Sequence, residues 1–222
     1  RRPGAEVKEG LIPVNLLYVS QGLADNITAE AFYQLEWDKS VLDNCGTFFG
    51  TDGVPQGCND RLVVAGRDLP PGVAQNTGGL AAIAAGTDNA FIPRLKDNDA
   101  RDSGQYGVAL RWYVPEANDT EFGAYAMNYH SRNPYLSINQ MSSAAGGVTS
   151  ARSVRYFIDY PEDIRLYGLS FQTNVEGVSL GGEVSYRPNM PLQLNPADLL
   201  SAATFGATSP LITTGFAGRN LG

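Results

Sequence analysis

Few residues in this sequence have the chemistry of a catalyst, and spacing decides what those few can do. His130 is the single imidazole, and Ser131 stands beside it. In an extended segment adjacent side chains point to opposite faces, so this adjacency makes no nucleophile–base dyad. Glu30 and Glu36 are carboxylates of the kind that divide acid and base work, yet six residues along a strand set them about 20 Å apart, too far for glycosidase geometry. The run Asp97-Asn98-Asp99-Ala100-Arg101-Asp102 puts oxygen donors at alternate positions, as a Ca2+ loop does. It lacks the glycine and distal glutamate of an EF-hand, so a solvated turn is the expectation. Cys45 and Cys58 sit in a glycine-rich stretch with 12 residues between them. A loop-closing disulfide is the favoured reading. It would constrain the unfolded chain by about 3 kcal/mol and persists only in oxidising compartments. The alternative is two unpaired thiols in a cytosolic domain. Two cysteines and one distant histidine supply too few soft ligands for a metal. No enzyme activity, cofactor or metal centre is expected.

Composition narrows the classes further. The net charge is −7, and the basic residues are scattered singly. That disfavours nucleic acid as a partner and leaves no polybasic patch for an anionic leaflet. No window approaches the 18 or so consecutive apolar residues of a membrane-spanning helix. With 25 glycines, 13 prolines and 10% aromatic residues, the balance is that of a β-protein. The chain opens on Arg1-Arg2-Pro3-Gly4 without a secretory signal, which reads as a processed or internal piece.

The elements that must position these residues form a repeated unit: an alternating run, a short polar turn, a second alternating run, then a long connection. Expected strands cover 14–22, 27–39, 105–114, 121–132, 165–173 and 178–187, with long loops at 40–104, 133–163 and 188–222. Short and long connections alternate strictly, as the periplasmic turns and extracellular loops of a membrane barrel do. Odd positions Ile27 to Trp37 are apolar or aromatic, while the even ones include Glu30, Gln34, Glu36 and Asp38. Val178 to Tyr186 alternates as cleanly with Ser179 to Arg187, and Tyr106 to Val114 opposes Gln105 to Tyr113. In the fourth strand Gly123, Tyr125, Met127 and Tyr129 are taken as the apolar side, facing away from Asn128, His130 and Arg132. The start of the fifth, at Ile164-Arg165-Leu166-Tyr167, calls for a bulge to keep phase.

An antiparallel transmembrane β-barrel segment is therefore the expected fold: all-β, about six strands in three hairpins, with residues 1–222 part of one barrel domain. Six strands cannot enclose a lumen, so further strands outside the chain, or further copies, must complete it. The rival is a secreted β-sandwich. Aromatics near strand ends (Tyr33, Trp37, Tyr106, Trp112, Tyr129, Tyr186) and strands of about ten residues favour the membrane. On that reading Glu30, Gln34, Glu36, Asp38, Arg111, His130, Arg132, Glu183 and Arg187 line the lumen, either as a selectivity-setting charge pattern or as ion pairs that fill the interior. Leu80 to Ala85, Phe91 to Pro93 and Leu199 to Phe205 are apolar loop material that folds over the lumen, forms short helix, or meets a partner. The expected role is passage of a small solute, a hydrophobic one among the candidates. The alternative is a non-conducting scaffold or adhesion barrel whose loops bind a partner. Expected neighbours are outer-membrane lipid and lipopolysaccharide, with envelope proteins as candidate partners.

Having reached these residues, a resemblance follows. Arg2-Pro3-Gly4-Ala5-Glu6-Val7-Lys8-Glu9 with Pro13 to Tyr18, and Phe32-Tyr33-Gln34-Leu35-Glu36-Trp37 with Cys45-Gly46-Thr47-Phe48-Phe49, resemble the proteobacterial family catalogued as domain of unknown function 1302. So does Tyr160-Pro161-Glu162-Asp163-Ile164 onward through Tyr186-Arg187-Pro188-Asn189 to Gln193. The resemblance implies an envelope protein of several hundred residues, secreted by a signal peptide and forming a large outer-membrane barrel of which this chain is an internal part. It carries over no catalytic residues and no settled activity.

Overall fold

The computed structural model describes residues 11–48, 50, 53–55, 57, 61–67, 84–87, 89–140 and 154–205. The chain divides into two compact units: residues 1–40, 100–133 and 160–191 form the first, and 41–99, 134–159 and 192–222 the second.

The first unit is an antiparallel sheet of six strands: β1 (Leu16–Ala24), β2 (Ile27–Gln34), β5 (Gln105–Val114), β6 (Thr120–Tyr129), β9 (Ile164–Val175) and β10 (Val178–Tyr186), paired in that order. Short turns join them in hairpins. Glu176 and Gly177 both take positive φ, at 49° and 84°, as a two-residue turn with the strands' own twist requires. Between β5 and β6 a 3-10 turn over Pro115–Ala117 ends on left-handed Asn118, and the Tyr113 hydroxyl donates to Asp119 Oδ1 at 2.6 Å.

Several expected boundaries shift. The second strand ends at Gln34 rather than 39, and the fourth at Tyr129 rather than 132. In both cases the chain leaves the ladder where its side chains find other partners at the sheet's end. β9 keeps an unbroken register from Ile164 against β6 and from Tyr167 against β10, so the expected bulge is absent there. The irregularity lies in β1, between Gly22 and Ala24.

In the second unit the described parts of the long connections hold regular structure. They hold the hairpin β3 (Arg61–Gly66) with β4 (Asn89–Pro93) and the hairpin β7 (Tyr135–Gln140) with β8 (Val154–Asp159). Parallel bridges, Arg94 to Tyr156 and Asn98 to Asp159, join the two. Ile92, Val154 and Tyr156 are fully buried, with Leu62, Leu136, Ile138 and Leu200 packed on them. Arg94 is covered by this structure; it pairs with Asp97 at 2.9 Å and donates to the Val54 and Pro55 carbonyls. Helix α1 (Pro196–Phe205) starts where Asn195 Oδ1 accepts from the Ala197 N–H, with proline at the first helical position. The Gln193 side chain grips both backbone groups of Leu136, extending β7's edge.

The described residues are thus mostly antiparallel β-sheet with almost no helix. The six-stranded sheet does not close: among the described residues β1 and β10 stand at its two edges.

Aromatic side chains lie over glycines of their own or a neighbouring strand. A Cβ on Gly107 would run into the Phe32 ring, and one on Gly123 into the Tyr125 and Ser170 hydroxyls. Gly22 has open space. Gly107→Val and Gly123→Val should each destabilise the folded protein by about 1–3 kcal/mol and Gly22→Ala by much less, measured by urea unfolding. Equal midpoints for Gly107→Val and Gly22→Ala would show that these pairs do not restrain the sheet.

Candidate functional site

The register sorts the sheet's side chains into two faces. One carries Val19, Ala31, Val108, Ala126, Tyr167 and Tyr186 in a single row across all six strands, with Leu110, Leu169 and Val184 in the next. It is apolar, and it is the exposed one: Val108 is 54% exposed, Leu169 60% and Val184 63%. The other face carries the charges and is the more covered toward the long connections, at Gln105, Gly107, Ile164 and Leu166, while Arg111, Glu121 and Glu183 are themselves exposed.

On this shielded face Glu30, Gln34, Arg111 and Glu183 share one side of the sheet. Arg111 on β5 reaches Glu30 on β2 at 3.8 Å and Glu121 on β6 at 3.9 Å. The Tyr125 hydroxyl meets Ser170 Oγ at 3.1 Å beside them. One register step toward the long connections, the face turns apolar at Tyr18, Phe32, Met127 and Leu166 around Gly107.

This arrangement corrects the reading of the fourth strand. Gly123 pairs with Arg111 and Tyr125 with Ala109, so Tyr125, Met127 and Tyr129 belong to the shielded face, and Phe122, Ala124, Ala126 and Asn128 to the exposed one. Glu121 was missed for that reason. Its signal was its parity with Tyr125, together with Arg111 facing it across a short turn.

The remaining expected residues do not stand on the strands. Glu36 lies past β2 and accepts from the Asn15 side chain at 2.9 Å. Asp38 follows it. Arg187 lies past β10, 3.9 Å from Met190 Sδ. His130 and Arg132 lie past β6, in a polar collar at the end of the sheet from which the long connections leave. Trp37 belongs there too, 8% exposed, and not to an outer aromatic belt. Its backbone N–H donates to Asp102 Oδ1 at 2.9 Å and its indole to the Ser131 carbonyl at 3.1 Å. Its ring stands edge-on to Tyr160 at 5.0 Å.

His130 is buried in the collar, and both ring nitrogens are committed. Nε2 faces the Ser103 carbonyl at 2.9 Å, and Nδ1 accepts from the Asp163 N–H at 3.0 Å. These partners assign the neutral Nε2–H tautomer. The Ser131 hydroxyl is occupied with the Asn133 backbone. Asp163 takes a left-handed φ of 57°, a conformation held by its surroundings. Its carboxylate accepts from Arg101 at 2.6 Å and from Asn128 at 2.9 Å. The Arg101 hydrogen bond, then that from Asn128, holds the Asp163 carboxyl below its ordinary range, and Asp163 in turn raises Arg101. Arg101 also pairs with Glu162.

The acidic run at 97–102 is spent on structure: Asp97 pairs with Arg94, Asn98 with Asp159, and Asp102 with Trp37. Among the described residues no group of His, Cys, Asp and Glu could hold a metal ion. Cys45 lies in a described turn, while Cys58 and residues 80–83 lie outside the described residues.

Fold and faces define an antiparallel β-protein with its charges on one face and an apolar, exposed opposite face. The chain belongs to the family described as Protein of unknown function (DUF1302), whose family model matches residues 1–218. No curated protein and no solved structure matches it.

Because the Asp163 carboxyl is lowered when folded, the stabilisation it gives is present above the ordinary carboxyl range and is lost as pH falls through the folded value. In a Trp112→Phe background, Trp37 emission should report the collar opening below about pH 4, and Asp163→Asn should flatten that transition. His130→Ala should cost about 2 kcal/mol by stranding the Asp163 N–H and the Ser103 carbonyl. An acid transition unchanged in Asp163→Asn would remove Asp163 from this role.

Proposed function

We propose that the six-stranded sheet is part of the wall of an outer-membrane β-barrel that passes a small solute. The observation that carries this reading is the apolar face of the sheet: Val108, Leu169 and Val184 are left exposed, while the charges are gathered on the opposite face. In water such a surface is costly at about 25 cal/mol per Å2 of apolar area, whereas against lipid tails it is the stable arrangement.

Dimensions support the reading. Tyr33 and Tyr106 stand in one row of the exposed face, and Trp112, Phe122 and Phe171 in another. Six residues along β5 separate Tyr106 from Trp112, about 20 Å at the rise of a strand, close to the apolar band of barrels between its aromatic girdles. On this reading β1 and β10 pair with further strands, and the shielded face lines a lumen. The apolar step at Tyr18, Phe32, Met127 and Leu166 suits a solute with a hydrophobic part. Lipid and lipopolysaccharide then contact the exposed face. A Cys45–Cys58 bond fits an oxidising envelope compartment.

One observation favours a second reading, a non-conducting barrel that binds a partner. The long connections fold together around Ile92, Val154 and Tyr156, which makes a rigid surface rather than loose loops.

Planar-bilayer recording on the intact protein separates the two: stepwise conductance is expected, and silence in a correctly inserted protein leaves the partner-binding barrel. The lipid-facing assignment is checked apart from conductance. Leu110→Arg and Leu169→Arg should each weaken membrane insertion by about 2–4 kcal/mol, while Glu30→Gln on the opposite face leaves it unchanged, measured by folding into vesicles. Full insertion of both arginine variants would end the membrane reading.

A further inference from the structure

The channel reading says nothing of the charge of what passes, and the shielded face supplies it. We propose that this face is a charge filter favouring positively charged solutes over negative ones, with Arg111 setting how strong the preference is. The inference rests on the channel reading and deepens it.

Three carboxylates, Glu30 on β2, Glu121 on β6 and Glu183 on β10, share this face with Arg111, the one basic residue the six strands place there. Arg111 stands between two of them at 3.8 and 3.9 Å. Those separations are ionic but too long for direct hydrogen bonds. The guanidinium therefore offsets part of the carboxylate field without neutralising it, and the face stays net negative.

A second observation comes from the short turns. They carry Asp25, Glu116, Asp119 and Glu176 and no lysine or arginine. A solute crossing that end of the sheet meets one sign of charge only. The opposite end is mixed, with Arg101 tied to Glu162 and Asp163. Rings and patches of carboxylate favour cations by replacing part of their hydration, and a low-dielectric wall focuses such a field into the lumen.

Reversal potentials of the intact protein in planar bilayers under a tenfold KCl gradient test this. Wild type is expected to favour K+ over Cl− by about threefold or more. Arg111→Gln should raise that ratio severalfold, and combined Glu30→Gln, Glu121→Gln and Glu183→Gln should bring it close to one. Insertion into vesicles shows that each variant has folded. A channel that favours Cl−, or one whose ratio is the same in all variants, overturns the filter and leaves the channel standing. A correctly inserted protein without current overturns both.

Discussion

Everything in the first unit depends on the alternation of side chains being locked in one phase across five antiparallel pairings. A slip of one residue in any pair would turn that strand's lipid-type side chains toward the charges and its charges outward. The register from β1 to β10 holds Val19, Ala31, Val108, Ala126, Tyr167 and Tyr186 in line. Row by row, the phase is what keeps Glu30 and Glu121 within ionic reach of Arg111. Gly107 under Phe32 and Gly182 under Phe171 reinforce it, because those rings fit over a neighbouring strand only where no side chain stands.

The collar fixes the same phase at one end of the sheet. There β2, β5, β6 and β9 all give way to non-strand backbone whose polar groups need partners. His130 joins two of these segments through its two nitrogens, Trp37 joins two through its amide and indole, and Asp163 accepts from both Arg101 and Asn128. His130, a lumen-lining candidate in the sequence, stands past the end of β6 with both ring nitrogens engaged. A lone histidine on a polar stretch is as well explained by backbone satisfaction as by reactivity, and here the two ring contacts decide for the former.

How far the sequence could be read follows from how each strand earns its phase. β2 and β10 alternate apolar with polar along their length, so their faces were legible directly. β6 was not, because Phe122, Ala124 and Ala126 are apolar at one parity while Tyr125 and Met127 are apolar at the other. Its phase is set by pairing with β5 and β9, which no single strand reveals. The run from Leu35 to Lys39 kept the alternation of a strand but left the ladder, since Trp37 is recruited by Asp102 and Ser131. β8 was overlooked although Val154, Tyr156 and Ile158 alternate as buried positions. Arg155, Phe157 and Asp159 between them include a large apolar side chain, and a six-residue run beside the small-residue stretch from Ser142 to Ser150 has little to contrast with it. The family, by contrast, was legible from short phrases at both ends of the chain.

The shielded face is graded, and the grading bears on what a lumen of this kind selects. Near the collar the apolar step at Tyr18, Phe32, Met127 and Leu166 removes water from whatever lies against it. One register step on, Glu30 and the Tyr125–Ser170 pair restore polar contact, and beyond Arg111 and Glu121 only acidic turns follow. An anion moving along this path would lose hydration at the apolar step and then face carboxylates, two unfavourable terms in succession. A cation with an apolar portion would meet a favourable field after each loss of water. That order of apolar, mixed and acidic levels is set by the same six-strand register that turns the hydrophobic side outward, so the proposed solute preference and the proposed membrane setting would both follow from one alignment.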